Sequence, residues 1–162
     1  MKSRIDLFRG FPKAIQAMSG TTLYVNASGL EHRLLELVKM RTSQLNGCAY
    51  CIDMHSKDAR AAGETEQRLY LLDAWREAPL YSERERAALE WTEAVTRVHE
   101  GNVPDEVYAR AREHFSEEEL VKLTIAVIAT NGWNRLNIAF RQPEVGTYRP
   151  GMFDQPKAAV SV

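Results

Sequence analysis

The sequence predicts an all-α, single-domain protein, and three observations carry that expectation. Apolar residues recur at i, i+3, i+4 and i+7 along most of the chain. Strict apolar–polar alternation, the mark of a half-buried strand, is almost absent. Two serine–glutamate pairs, Ser82 with Glu85 and Ser116 with Glu119, have the spacing of capping boxes. In that motif the serine accepts from a first-turn N–H and the glutamate accepts from the serine's own N–H.

Pro12 opens a first helix carrying Ala14, Ile15, Ala17 and Met18, whose end Gly20 and the pair Thr21-Thr22 weaken. A second helix is expected from about Leu30 to Leu45, with Leu34, Leu37, Val38, Arg41 and Leu45 at helical spacing and Asn46-Gly47 as its stop. The third begins at Cys48 or just after it and ends at Ala62-Gly63. Glu64 to Trp75 reads as a fourth, closed by Pro79. Ser82 launches a helix carrying Ala87, Leu89, Trp91 and Val95; Pro104 starts a short one that ends near His114-Phe115. Ser116 launches the most apolar helix, running toward Phe140 until Pro143 stops it. From Val145 onward, glycine, proline and small residues suggest an extended arm or a frayed tail. The domain is expected over residues 1–150, with 151–162 as a flexible tail.

A chain of 162 residues can bury one real core but not two comfortable ones. Its 44% hydrophobic and 27% charged residues are the profile of a soluble globular protein. A formal charge of −1 gives no electrostatic reason to expect nucleic acid or an anionic membrane as partner. The N-terminal residues lack the apolar core of a signal peptide, and the longest apolar run is too short to span a bilayer. A cytoplasmic location is the expectation. Ordinary thiols are kept reduced there, so a close cysteine pair is more often catalytic or metal-binding than a structural staple.

The two cysteines stand three apart, and a histidine follows four further on: Cys48-Ala49-Tyr50-Cys51-Ile52-Asp53-Met54-His55. On a helix, at about 100° per residue, positions 48, 51 and 55 fall within about 60° of one another. Cα atoms three apart on a helix lie roughly 5 Å apart, within reach of a disulfide. Asn46-Gly47 ends the preceding helix, so the first turn of the next presents free N–H groups and a positive dipole end to the sulfurs. That lowers thiol pKa values, but the benefit is small. Moving a thiol from about 8.5 to about 7 raises its thiolate fraction at neutral pH from roughly 3% to about half, while lost nucleophilicity returns a factor of roughly 5. A peroxide-cleaving site also needs a proton for the departing alkoxide, which is worth about 10²–10⁴-fold. His55 is the nearest candidate carrier. A closed zinc site is disfavoured because it needs four ligands, and His32, His99 and His114 show no matching paired spacing. A thioredoxin-like motif would follow a strand, and none is visible before Gly47.

Glu36, twelve positions before Cys48, followed by Cys48-x-x-Cys51-x-x-x-His55, resembles the signature of the alkylhydroperoxidase D-like group within the carboxymuconolactone decarboxylase superfamily. Leu34 to Gly63 is the best match, and Trp133-Asn134-Arg135-Leu136-Asn137 is similar to the C-terminal part of the family's small members. The resemblance implies an all-helical fold that assembles into trimers or hexamers, and a thiol peroxidase that resets through a disulfide. It implies that Cys51 becomes a sulfenic acid, that Cys48 resolves it, and that Glu36 is a distant base acting through His55 and a bridging water. By itself Glu36, between Leu35 and Leu37 on an amphipathic helix, would read as a solvated carboxylate. Well-known members carry a histidine between the cysteines where this chain has Tyr50, so a lipoyl-linked reductant does not follow from the resemblance. Trp133 and Arg135, beside Asn134 and Asn137, read as packing or oligomer contacts.

The leading expectation is a cysteine peroxidase, without a bound cofactor, reducing hydrogen peroxide or organic hydroperoxides and reset by a dithiol or protein reductant. The alternatives are a disulfide oxidoreductase or redox sensor, a lactone decarboxylase of the same superfamily, for which a redox pair is superfluous, and a helical scaffold with incidental thiols.

Overall fold

The helical periodicities fold as nine α-helices in a computed structural model that describes residues 2–141 and 143–153, and no strand occurs among them. The helices are α1 (Leu7–Gly10), α2 (Pro12–Asn26), α3 (His32–Asn46), α4 (Ala49–Ala61), α5 (Glu66–Tyr70), α6 (Glu83–Thr96), α7 (Val98–Gly101), α8 (Asp105–His114) and α9 (Glu117–Phe140). A 3-10 turn, Leu72–Ala74, lies between α5 and α6. Among the described residues, no helix is long and apolar enough to cross a membrane.

The central element is α3, which packs against α4, α6 and α9. Leu34, Leu35 and Val38 join Ala88 and Trp91 of α6 and Leu123, Ala126 and Val127 of α9 in the main core. On another flank Leu37 and Met40 meet Leu72, Trp75, Tyr81 and Leu89. A helix covered on several sides has no solvent face, and the unbroken run Leu34–Val38 is buried throughout. Glu36, in the middle of that run, is therefore carried into the interior.

Both expected capping boxes form. The Glu85 and Glu119 N–H groups donate to Ser82 Oγ at 3.3 Å and Ser116 Oγ at 3.1 Å, and each glutamate accepts from its serine's N–H at 2.8 Å. Helix α3 ends where expected, on Gly47 in the left-handed region at φ 66°. That conformation suits glycine, and it reverses the chain within two residues, so that Cys48 becomes the N-cap of α4.

Four elements depart from the sequence expectation. Helix α2 does not fail at Gly20 but runs on to Asn26; Thr21 Oγ1 donates to the Met18 carbonyl, and Thr22 Oγ1 accepts from Trp133 Nε1 of α9 at 2.8 Å. Tertiary contact outweighs the local propensity there. The expected helix from Glu64 to Trp75 splits into α5 and the 3-10 turn, because its buried residues Leu69, Leu72 and Trp75 repeat every three positions. That is the period of a 3-10 helix. The short helices α1 and α7 have no counterpart in the sequence expectation; α1 is capped by Asp6, whose side chain accepts from the Arg9 N–H. Residues 145–153 take the arm of the two expected alternatives, docked with Tyr148 buried. The expected flexible tail falls mostly on residues 154–162, outside the described residues.

Candidate active site

Cys48 is the N-cap of α4 and Cys51 lies in its first turn, each 1% exposed. The two sulfurs are joined in a disulfide, across a Cα–Cα distance of 5.3 Å. The chain entering this turn is pinned by the Cys48 N–H, which donates to the Ser43 carbonyl at 3.0 Å. Each thiol thus sits at the positive end of α4, where anionic sulfur is favoured.

One turn further along α4, His55 Nδ1 lies 3.0 Å from Glu36 Oε2. Lys39 Nζ donates to the other oxygen, Oε1, at 2.9 Å. Burial alone would raise the Glu36 carboxyl, but the hydrogen bond and charge of His55, with the Lys39 ammonium, outweigh it and hold the group at about 2. A carboxyl so low stays ionised near neutral pH. As an ionised carboxylate it accepts at His55 Nδ1 and orients that ring.

The sequence reading missed several further contacts. Asn137 of α9 donates from Nδ2 to Cys51 Sγ at 3.3 Å. Tyr148, on the arm, meets Tyr50 edge to face with ring centres 6.4 Å apart, and its hydroxyl donates to the Asp58 carboxylate at 2.8 Å. Lys57 Nζ donates to the Tyr148 carbonyl at 3.1 Å, and the Gly146 N–H to Asp53 Oδ2 at 3.2 Å, so α4 holds the arm at several points. Tyr148 packs in one cluster with Cys48, Tyr50 and Cys51. Burial raises the Asp58 carboxyl above its usual range, an effect that the Tyr148 hydroxyl partly offsets. Burial, with Asp53 and Asp58 nearby, pushes the Tyr50 hydroxyl up to about 12, and that hydroxyl has no hydrogen-bond partner among the described residues. None of these contacts had a local sequence signal: Asn137 lies 86 positions from Cys51, and Tyr148 90 positions from Asp58.

The four residues singled out in the sequence, Glu36, Cys48, Cys51 and His55, lie on α3 and the first half of α4 as two pairs, Glu36 hydrogen-bonded to His55 and Cys48 disulfide-bonded to Cys51, the histidine one helical turn beyond Cys51. Glu36, His55 and Asp58 also offer ligand atoms within 4.8 Å of one another, as a cation site would. Lys39 already supplies the counter-charge to Glu36. Trp133 and Arg135, read as packing residues, donate to Thr22 and to the Asn131 carbonyl. Trp75 and Trp91 are buried within this chain's own core.

A sequence profile of the carboxymuconolactone decarboxylase family matches residues 9–94. The uncharacterized protein YdfG of Bacillus subtilis is 45% identical over 139 residues, spanning 86% of this chain and 95% of that protein. The uncharacterized protein YnjA of Escherichia coli is 35% identical over 123 residues, 75% of this chain and 66% of that protein. Among solved structures, a protein of unknown function from Agrobacterium tumefaciens, suggested to be the antioxidant defence protein AhpD, superposes with a TM-score of 0.86 at 46% identity, over 88% of this chain and 97% of its own. The debrominase Bmp8 shares the fold alone, at 22% identity and a TM-score of 0.74, over 84% of this chain and 73% of its own.

Proposed function

Because the chain belongs to the carboxymuconolactone decarboxylase family, we propose that it is an alkylhydroperoxidase-like thiol peroxidase of that family, cycling through the Cys48–Cys51 disulfide. The observation that carries this reading is the buried Glu36–His55 pair held one helical turn beyond a redox-capable cysteine pair. A lactone decarboxylase has no need of that combination.

In the reduced chain the Cys51 thiolate attacks one oxygen of the hydroperoxide. An S–O bond forms, the O–O bond breaks, and the departing alkoxide or hydroxide takes a proton. His55, fixed by Glu36, is the group that delivers it, directly or through one water. The Cys48 thiolate then attacks the Cys51 sulfenic acid, the disulfide forms, and hydroxide leaves as water once protonated. A dithiol reductant restores both thiols by exchange. Glu36, ionised and hydrogen-bonded to His55 Nδ1, is the distant carboxylate that orients the ring through which the proton moves. The working unit is a homo-oligomer, a trimer or hexamer, with no nucleic-acid or membrane partner, acting in the cytoplasm.

Mass spectrometry after one equivalent of peroxide tests the first half-cycle: a loss of two hydrogen atoms, with both thiols then blocked to alkylation, is expected. Cys48→Ser should trap a sulfenic acid on Cys51, while Cys51→Ser should react slowly; the reverse pattern would exchange the roles. Continuous peroxide consumption with a dithiol separates a peroxidase from a sensor that oxidises once and stops.

A further inference from the structure

Asn131, Asn134 and Asn137 stand three apart on α9. The first two have conventional partners. Asn46 Nδ2 donates to Asn131 Oδ1 at 3.0 Å and to Asn134 Oδ1 at 2.9 Å. Asn131 Nδ2 donates to Thr96 Oγ1 at 3.1 Å, and Asn134 Nδ2 to Ser43 Oγ at 3.2 Å. Together they fasten the last turn of α3 to α9. Asn137, 8% exposed, instead directs its amide to sulfur, 3.3 Å from Cys51 Sγ.

A disulfide sulfur is a weak acceptor, so a buried amide placed against one gains little in the oxidised chain. The same donor against a thiolate makes a charge-assisted hydrogen bond, roughly twice as strong as a neutral one. The stabilisation is thus concentrated in the reduced, ionised state of one sulfur. It adds to the N-terminal field of α4, which both cysteines share, and so distinguishes Cys51 from Cys48.

We propose that Asn137 is a catalytic residue, its amide N–H holding negative charge on Cys51 Sγ and selecting that sulfur both as nucleophile and as leaving group. The selection has a consequence in each half-cycle. When the thiols are oxidised, Cys51 attacks first. When a dithiol reduces the disulfide, its thiolate attacks Cys48 Sγ and a new S–S bond forms there. The Cys48–Cys51 bond breaks, and the electron pair leaves on Cys51, because the thiol of lower pKa leaves faster. The second reductant thiol then attacks the mixed disulfide on Cys48, releasing the oxidised reductant and the Cys48 thiolate, which takes up a proton. This proposal rests on the thiol–disulfide part of the function proposed above, and not on peroxide being the oxidant.

The decisive measurement is the pH profile of iodoacetamide alkylation, in the Cys48→Ser background for Cys51 and in the Cys51→Ser background for Cys48. Asn137→Leu, which keeps the bulk and removes the donor, and Asn137→Ala should each move the Cys51 profile up by roughly one to two pH units. The Cys48 profile should stay in place. A structural residue would not move one thiol selectively. Without any variant at 137, sub-stoichiometric monothiol added to the oxidised wild-type chain should give a mixed disulfide mapped to Cys48 by peptide mass spectrometry. An unmoved Cys51 profile, an equal shift of both cysteines, or a mixed disulfide on Cys51 would overturn the proposal. A wild-type chain that is oxidised by a small disulfide but consumes no peroxide would overturn the peroxidase reading while leaving the Asn137 shift intact.

Discussion

Glu36 is 3% exposed and carries its charge between His55 Nδ1 and Lys39 Nζ. The two partners hold its carboxyl at about 2, against an ordinary value of 4.5. A carboxyl whose pKa is depressed on folding adds stability that is fully present above the unfolded value and is lost as pH falls through the folded one. The window here is therefore about pH 4.5 down to about 2, and the contribution is on the order of 3 kcal/mol. Urea denaturation of the oxidised chain at pH 6 and pH 3 should show a fall in stability that Glu36→Gln largely abolishes. Parallel losses in the two proteins would mean that other carboxylates carry the acid sensitivity. The same substitution should slow peroxide reduction by at least about tenfold at neutral pH, the low end of what acid–base groups contribute, because the glutamine amide oxygen can still accept from His55 Nδ1 but lacks the negative charge that favours a protonated imidazole.

The junction between α3 and α4 is two residues long, and Gly47 at φ 66° makes it possible. Nothing lies within 4 Å of a Cβ built on Gly47, so Gly47→Ala meets only the backbone penalty. That penalty is roughly 1–2 kcal/mol for an L-residue in the left-handed region, and Gly47→Asn should cost less because asparagine tolerates it. Equal melting temperatures for wild type and Gly47→Ala would show that this turn can relax. The arm makes a different prediction. Tyr148 covers the cysteine turn and is tied to Asp58, so Tyr148→Ala should raise the alkylation rate of the reduced thiols several-fold with little change in helicity. An unchanged rate would mean that reagents reach the sulfurs by a path the arm does not control. These two elements also mark what a sequence can disclose. The cysteine pair and His55 were legible because short spacings on one helix bring them together, and both capping boxes were legible because caps are local; Glu36, which by itself reads as a solvated carboxylate, stood out only through the family resemblance. Asn137 and Tyr148 were not legible, since helical periodicity says which residues share a face but not which distant helix or arm that face meets. The α5 break was missed for a related reason: a period of three over Leu69, Leu72 and Trp75 separates from 3.6 only over a longer segment.

For the molecule as a whole, the tryptophans are poor witnesses to assembly, because Trp75 and Trp91 are satisfied inside the chain. Better ones lie on α2 and α9, which pack together and still leave Leu23, Tyr24, Val121 and Ile128 about half exposed. Single exposed apolar residues are ordinary on any surface, whereas several on two adjoining helices are the kind of feature that subunits bury. Light scattering at micromolar concentration should therefore give a multiple of 18.4 kDa, and a clean monomer would contradict the proposed trimer or hexamer. Charge placed on the same face locates the contact: Val121→Glu with Ile128→Glu should lower the assembled mass while circular dichroism stays helical, because both side chains point to solvent within the subunit. If the doubly charged variant keeps the wild-type mass, the subunits meet elsewhere and the exposed residues of α2 and α9 are not the interface. Peroxide turnover in that variant then tells whether the assembly matters to the chemistry. Asn137 and Tyr148, which pack against the cysteine turn, belong to the same chain as the cysteines, so a dissociated subunit should still form the Cys48–Cys51 disulfide at close to the wild-type rate.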